Sequence, residues 1–206
     1  MSKEWKGNSA SWRSQLGINK HFTTDERESG DYYTTDPTAV QALLDKLGYR
    51  LTDGVVWECA CGCGNISEVL FANGYDVIST DLHYSGYGES GCDFLQTKQV
   101  IDPKCDVIIT NPPYSLANEF ILHAMDILPN GGEYFALMNL SYLTGNKRYT
   151  DIYSKRYLYA VYIYSYRINC YKNNIDTGKS SPVNYAWFHF IKGNTLSRPK
   201  IYWITK

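Results

Sequence analysis

The chain has 206 residues, a net charge of −1, 44% hydrophobic and 15% aromatic content. That length suits one domain with a substantial core. Near-neutrality excludes a chain-wide electrostatic commitment to nucleic acid, and no apolar run reaches the roughly 18 residues that a membrane-spanning helix needs. The start, Met1-Ser2-Lys3-Glu4-Trp5-Lys6, lacks an apolar signal-peptide region, so the chain reads as cytosolic. Six cysteines fit a reduced compartment. Cys59, Cys61 and Cys63 alternate with no Cys-x-x-Cys or His pair beside them. They read as small residues in a crowded turn, and no metal is expected.

Residues 1–30 are polar and aperiodic, and read as an arm whose aromatics tuck onto the domain. The alternative is an arm whose Trp12, Arg13 and Lys20 touch a substrate. Residues 31–206 read as one domain. Asp36 as N-cap and Pro37 at the first helical position predict a helix start. Val40, Leu43, Leu44 and Leu47 give its apolar stripe, and Gly48 ends it. Hydroxyls just before that start, on Tyr33, Thr34 and Thr35, suit a carboxylate, because free N–H groups and the helix dipole favour an anion there. Val55 to Ala60 reads as a strand, Cys61-Gly62-Cys63-Gly64-Asn65 as a glycine turn, and Ile66, Val69 and Leu70 as the next helix. Strand, Gly-x-Gly turn and helix form the first unit of a Rossmann-like sheet, in which glycine lets backbone approach a ligand. A second strand, Tyr75 to Asp81, ends in an acid about 20 residues after Gly62, the interval at which a carboxylate takes ribose hydroxyls. His83 to Gly91 is a loop.

The apolar run Val107-Ile108-Ile109-Thr110 has the composition of a buried parallel strand. It delivers Asn111-Pro112-Pro113-Tyr114 to the carboxyl edge of the sheet, where open α/β sheets bind ligands. Two prolines stiffen that loop. It presents two acceptors, the Asn111 amide and the Pro112 carbonyl, and one stacking face, Tyr114. Ser115 is an N-cap candidate for a helix through Leu128, stopped by Pro129 to Gly132. Tyr134 to Leu140 is the fifth strand. From 139 to 182 seven basic residues face two acidic ones, with tyrosines interleaved. Basic residues among aromatics suit a nucleic-acid backbone and unstacked bases; the alternative is a solvated surface over strand-forming tyrosines. Tyr157 to Tyr164 alternates as a strand, Arg167 to Pro182 reads as a loop, Val183 to Ile191 is the last long strand, and Pro199 to Lys206 a short edge strand.

Asn-Pro-Pro-Tyr after a strand resembles motif IV of the S-adenosylmethionine-dependent amino-methyltransferases. Tyr-Tyr-Thr-Thr-Asp-Pro resembles that family's motif X, Glu58 to Gly64 its motif I with Cys59 where proline is common, Asp81 its motif II, and Cys92-Asp93-Phe94-Leu95 its motif III. The order resembles the gamma arrangement, and the chain looks closest to small phage and prophage DNA N6-adenine methyltransferases. The resemblance covers residues 31–140 well and the rest loosely. It implies the class I α/β fold, a Rossmann-like seven-stranded sheet, mostly parallel with a terminal antiparallel pair. It implies S-adenosyl-L-methionine as cofactor, held by Tyr33, Thr34, Thr35, Glu58, Cys59, Ala60, Gly62, Gly64, Asn65, Asp81, Leu82, Asp93, Phe94 and Asn111.

The implied reaction is methyl transfer to adenine N6 in double-stranded DNA, with the base extruded onto Tyr114. Asn111, Pro112, Pro113 and Tyr114 would carry it, and Lys147, Arg148, Arg167 and Tyr171 would meet the substrate. Only residues 141–206 follow the fifth strand, so specificity is expected to be short, relaxed or borrowed from a partner. The setting implied is a bacterial or phage-infected cytoplasm; monomer and dimer stay open. Three alternatives remain: RNA adenine N6 transfer, protein glutamine N5 transfer on an equally planar carboxamide, and a non-catalytic nucleic-acid-binding relative.

Overall fold

The computed structural model describes residues 33–168, 170–172 and 183–206. The expected arm at 1–30, with Trp12, Arg13 and Lys20, and most of the expected loop up to Pro182 lie outside the described residues.

The first helix forms as its caps dictate. In α1 (Pro37–Leu47) Asp36 accepts from the Thr38 N–H at 2.9 Å, proline holds the first turn, and Gly48 at φ 66° closes the end by donating to the Leu44 carbonyl. α1 follows β1 (Tyr33–Thr35). Then come β2 (Val55–Glu58), α2 (Asn65–Ala72), β3 (Asp76–Ser79) and β4 (Cys105–Thr110). After β4 the chain enters α3 (Ala117–Ile127) through a 3-10 turn, Tyr114–Leu116. Leu116 therefore occupies the cap position, and the expected Ser115 cap does not form. The Leu116 N–H donates to the Pro113 carbonyl at 3.0 Å and closes that turn, so Ser115 sits inside it rather than at a helix cap. β5 (Glu133–Asn139), the short α4 (Asn146–Asp151), β6 (Leu158–Tyr164), β7 (Cys170–Lys172), β8 (Tyr185–Ile191) and β9 (Lys200–Ile204) complete the chain.

Seven strands form one sheet in the order β3-β2-β4-β5-β8-β6-β9. β8 alone is reversed, antiparallel to both β5 and β6, while β6 and the edge strand β9 run parallel. The expected mixed sheet is thus present, its antiparallel pairing located at β8. Side chains on one face (Val56, Val107, Ile109, Phe135, Leu137, Trp187) pack with Val40 and Leu43 of α1 and Ile66 and Leu70 of α2. Those on the other face (Trp57, Ile108, Tyr134, Met138, Phe188) pack with Phe120, Ile121 and Met125 of α3. Strands buried on both faces are mostly apolar, which is why Val107 to Ile109 of β4 and most of β8 read as hydrophobic runs; His189 of β8, 1% exposed and 2.7 Å from Glu133, is a polar exception.

A separate two-stranded ribbon joins β1 to β7, antiparallel, with Thr34 opposite Tyr171 and Thr35 opposite Cys170. Local sequence gives no sign of this pairing, since Tyr33 to Thr35 is too short to show an alternating strand pattern.

Candidate active site

Because β2, β3, β4 and β5 run parallel, the segments that leave them share one edge of the sheet. There those after β2, β3 and β4, with β1, enclose a cavity of about 400 Å³. Thr34 and Thr35 from β1 wall one side. Glu58 to Cys63, Asn65 and Ile66 form its base. Asp81, Leu82 and His83 follow β3. Asp93, Phe94 and Leu95 stand beside them, and Asn111 and Pro113 come from the end of β4.

The base is shaped by backbone geometry. Gly62 takes φ 54° and Gly64 φ 88°, a region that residues with a Cβ rarely occupy. Gly64 lies one layer behind the lining. Its N–H donates to the Cys61 carbonyl and its carbonyl takes the Glu68 N–H, starting α2. The Tyr87 ring rests on it, since a Cβ there would meet Tyr87 at 2.3 Å. Asp81 ties the turn to β3: Oδ2 accepts from the Gly62 N–H at 2.8 Å and Oδ1 from the His83 N–H at 2.9 Å. A carboxylate offers about four acceptor sites, a chemistry that suits hydroxyls of a bound molecule. Asp93 similarly caps the 3-10 turn Phe94–Gln96, accepting from Leu95 at 3.0 Å. Phe94 is wedged between Trp57, Phe120 and His123.

Glu58 is 1% exposed and accepts from both the N–H and the hydroxyl of Ser67, which in turn meets the Ser79 hydroxyl at 2.6 Å. Its carboxyl lines the cavity while fastening α2 to the sheet. Desolvation raises its pKa well above 4.5 against the opposing Ser67 bonds, with Asp81 adding to the rise. Burial likewise pushes the Cys59 and Cys61 thiols up, and that of Cys92 up to about 11. These shifts run opposite to the lowering that activates a thiolate nucleophile. Among the described residues every cysteine is free, and no group of three or more His, Cys, Asp or Glu is placed to hold a metal.

Asn111 reaches across to the ribbon: its Nδ2 donates to the Thr35 hydroxyl at 3.2 Å. Asn65 Nδ2 donates to the Thr35 carbonyl at 2.8 Å. Pro112 is buried and Tyr114 half-buried, both outside the cavity lining. Tyr114 is held at both ends. Its hydroxyl donates to Tyr185 at 2.8 Å, and its carbonyl accepts from the Tyr142 hydroxyl. Tyr142 in turn accepts at its carbonyl from Tyr153 at 2.5 Å. Tyr142 and Tyr185 escaped sequence reading because a hydroxyl's partner across the fold leaves no local signature.

The basic segment divides. Lys147 and Arg148 follow the carboxyl end of β5, and Arg167 follows that of β6, so these three sit toward the cavity edge. Lys155 and Arg156 precede β6, at the opposite edge. Arg148 is partly committed: its guanidinium lies 4.2 Å over the Tyr142 ring and donates to the Thr144 carbonyl at 2.7 Å. Tyr171 occupies the β7 position opposite Thr34. Among the described residues no helix is long and apolar enough to cross a membrane.

No protein-family model matches the chain, and no curated protein sequence matches it. Solved structures do. The type IIG restriction endonuclease BpuSI aligns with a TM-score of 0.64 and 15% identity over 86% of this chain, which spans 27% of the endonuclease. A protein described as an RNA methyltransferase from Pyrococcus horikoshii aligns at 0.60 and 15% identity, covering 88% of this chain and 98% of that one. A protein described as a class I S-adenosylmethionine-dependent methyltransferase from Listeria monocytogenes aligns at 0.55 and 13% identity, covering 95% and 70%. Identities this low establish architecture alone. The chain has the class I methyltransferase fold.

Proposed function

We propose that this protein transfers a methyl group from S-adenosyl-L-methionine to the N6 amino group of adenine in DNA. One observation carries the reading: Asn111 and the glycine turn line the same cavity, so an amide acceptor and a backbone cradle face one bound molecule. The cavity fits the cofactor by the chemistry of its donor set. Asp81 would take the ribose hydroxyls and Asp93 the adenine amino group, with Leu82 and Phe94 against the ring. Thr34, Asn65 and the Gly62 backbone would hold the methionine end. When bound, the cofactor supplies an electrophilic methyl group.

The chain's own residues prepare the acceptor. An adenine amino group is a poor nucleophile, because its lone pair is delocalised into the ring. The Asn111 oxygen and the Pro112 carbonyl accept its two hydrogens, which favours a more tetrahedral nitrogen and stabilises the positive charge that develops on it. Tyr114 stacks on the extruded base. No ionised base is needed beforehand, since the proton can leave afterwards to solvent. Lys147, Arg148 and Arg167, toward the same edge, supply phosphate contacts.

DNA is preferred because the structural relative with the highest of these scores is a restriction endonuclease. RNA is the second reading, because the relative described as an RNA methyltransferase matches over nearly its whole length. Tritium from labelled cofactor decides. It is expected in unmethylated genomic DNA, while label in RNA or protein selects those substrates instead. Asn111→Ala is expected to lower transfer by roughly 100-fold or more while S-adenosylhomocysteine still binds in calorimetry. Loss of that binding, or its absence from the wild-type protein, overturns the reading.

A further inference from the structure

We propose that Tyr87 is a positioning residue for the cofactor: its ring, seated on Gly64, latches the loop at 82–91 to the glycine turn and so fixes one wall of the cavity. The role rests on the cofactor reading given above; the contact does not.

The loop after β3 supplies Leu82, His83 and Ser85 to the cavity lining, and the glycine turn supplies Cys61, Gly62 and Cys63. The relative placement of those two segments therefore shapes the chamber. Backbone bonds close the root of the loop. The Asp81 N–H donates to the Glu89 carbonyl at 2.8 Å, the Glu89 N–H to the Ser79 carbonyl at 2.9 Å, and the Gly91 N–H to the Leu82 carbonyl at 3.2 Å. Farther out, the loop docks on the turn by close contact. A Cβ on Gly64 would meet Cγ, Cδ2 and Cδ1 of Tyr87 at 2.3, 2.5 and 2.6 Å, so the root of the ring rests on bare backbone. A Cβ on Gly88 would meet the Cys61 sulfur and the Ser79 carbonyl oxygen at 2.7 Å each. The Tyr87 carbonyl lies 3.7 Å from Cys61 Sγ. Two glycines, one on each segment, thus permit an approach that side chains would block.

The two glycines of the turn therefore serve different purposes. Gly62 lines the cavity, whereas Gly64 and Tyr87 both stand behind the lining, and the bare backbone of Gly64 receives the ring. Tyr87 is half-buried on a loop, so loss of its ring is expected to free the loop before it unfolds the domain. A wall in place for only a fraction of the time weakens apparent affinity by that fraction, without altering the chemistry once the ligand is bound. Bulk stabilisation alone would lower the melting temperature and leave the affinity of the folded protein unchanged.

The test compares Tyr87→Ala, which removes the ring, with Tyr87→Phe, which keeps it. S-adenosylhomocysteine affinity in calorimetry is expected to fall on the order of 10-fold in Tyr87→Ala and to stay near wild type in Tyr87→Phe. With labelled cofactor and unmethylated genomic DNA, KM for S-adenosyl-L-methionine is expected to rise by the same factor in Tyr87→Ala, while kcat at saturating cofactor holds. Melting of ligand-free protein reads the contact without any catalysis: Gly64→Ala is expected to lower the thermal midpoint less when combined with Tyr87→Ala than when made alone. If Tyr87→Ala does not fold, Tyr87→Leu, which keeps bulk and loses the flat ring, is expected to weaken affinity by a smaller factor. Unchanged affinity in the folded variant, or a kcat that falls with KM preserved, overturns the proposal, as does an equal effect of Gly64→Ala in both backgrounds. A wild-type protein that binds no S-adenosylhomocysteine, yet shows the dependence on background, rejects the cofactor reading and the positioning role with it, and keeps the contact.

Discussion

The two sides of the cavity are built by different means. On the glycine-turn side the geometry is backbone: positive-φ glycines, a carboxylate gripping two N–H groups, a glutamate fastening a helix. On the Asn-Pro-Pro-Tyr side it is side-chain hydroxyls reaching across the fold, from Thr35 to Asn111, from Tyr142 to Tyr114 and from Tyr114 to Tyr185. Backbone constraints tolerate almost no substitution where a glycine is required. Hydroxyl struts give up about 1 kcal/mol each when removed. The first side should therefore break sharply and the second should loosen.

The harshest test of that contrast is Gly64→Ala. A left-handed residue with a Cβ costs roughly 1–3 kcal/mol before any clash, and here the Cβ also meets the root of the Tyr87 ring. We expect a fall of several degrees in thermal midpoint together with lost cofactor affinity. An unchanged melt would show that the turn is not strained.

Glu58 gives a pH-dependent version. A carboxyl whose pKa rises on folding favours the folded state below its unfolded value, near 4.5, and that stabilisation is lost as pH climbs through the raised folded value. Each unit of upward shift corresponds to about 1.4 kcal/mol. Relative to Glu58→Gln, the wild-type midpoint is expected to decline with rising pH above about 4.5. Parallel melting curves for the two proteins across that range would refute it.

On the other side, Tyr142→Phe keeps the ring beneath Arg148 and removes only the hydroxyl bonded to Tyr114. We expect a loss of about 1 kcal/mol in stability and a several-fold lower kcat with cofactor affinity intact. A kcat equal to wild type would mean that the loop holds its shape by its prolines alone.

The smallest effect separates the basic residues. Lys147→Ala or Arg148→Ala should each reduce the slope of log affinity for DNA against log salt by about one. Lys155→Ala with Arg156→Ala, at the opposite edge, should leave that slope unchanged. Equal slopes for both pairs would mean that DNA does not approach from the cavity edge.

Legibility in the sequence followed the same division. The ends of α1 were readable because Asp36, Pro37 and Gly48 act within a turn of where they stand. The glycine turn, Asp81 and the Asn111 loop were readable because strand, turn and helix signals are adjacent in sequence. The Ser115 cap was misread because a serine just ahead of an apolar helical stripe gives no hint that a 3-10 turn intervenes. β1 was missed because three residues gain their strand character from a partner more than 130 positions later. The tyrosines from 139 to 182 illustrate the limit of composition. Tyr164 is buried, donating to the Ala39 carbonyl and accepting from Trp187, and Tyr162 stacks on Tyr202, whereas Tyr149 is 64% exposed. Alternation located the strand but did not sort tyrosines spent in the core from those left to meet a partner.

The β1–β7 ribbon fixes an order of events during synthesis. The glycine turn, Asp81 and Asn111 all leave the ribosome early, yet the wall that carries Thr34 and Thr35 gains its strand partner only once residues 170–172 have emerged. A nascent chain can pair β2, β3, β4 and β5 but cannot finish the chamber, since the closing pair has a very large sequence separation and correspondingly slow kinetics. Completion of the chamber is therefore postponed until most of the domain has been translated.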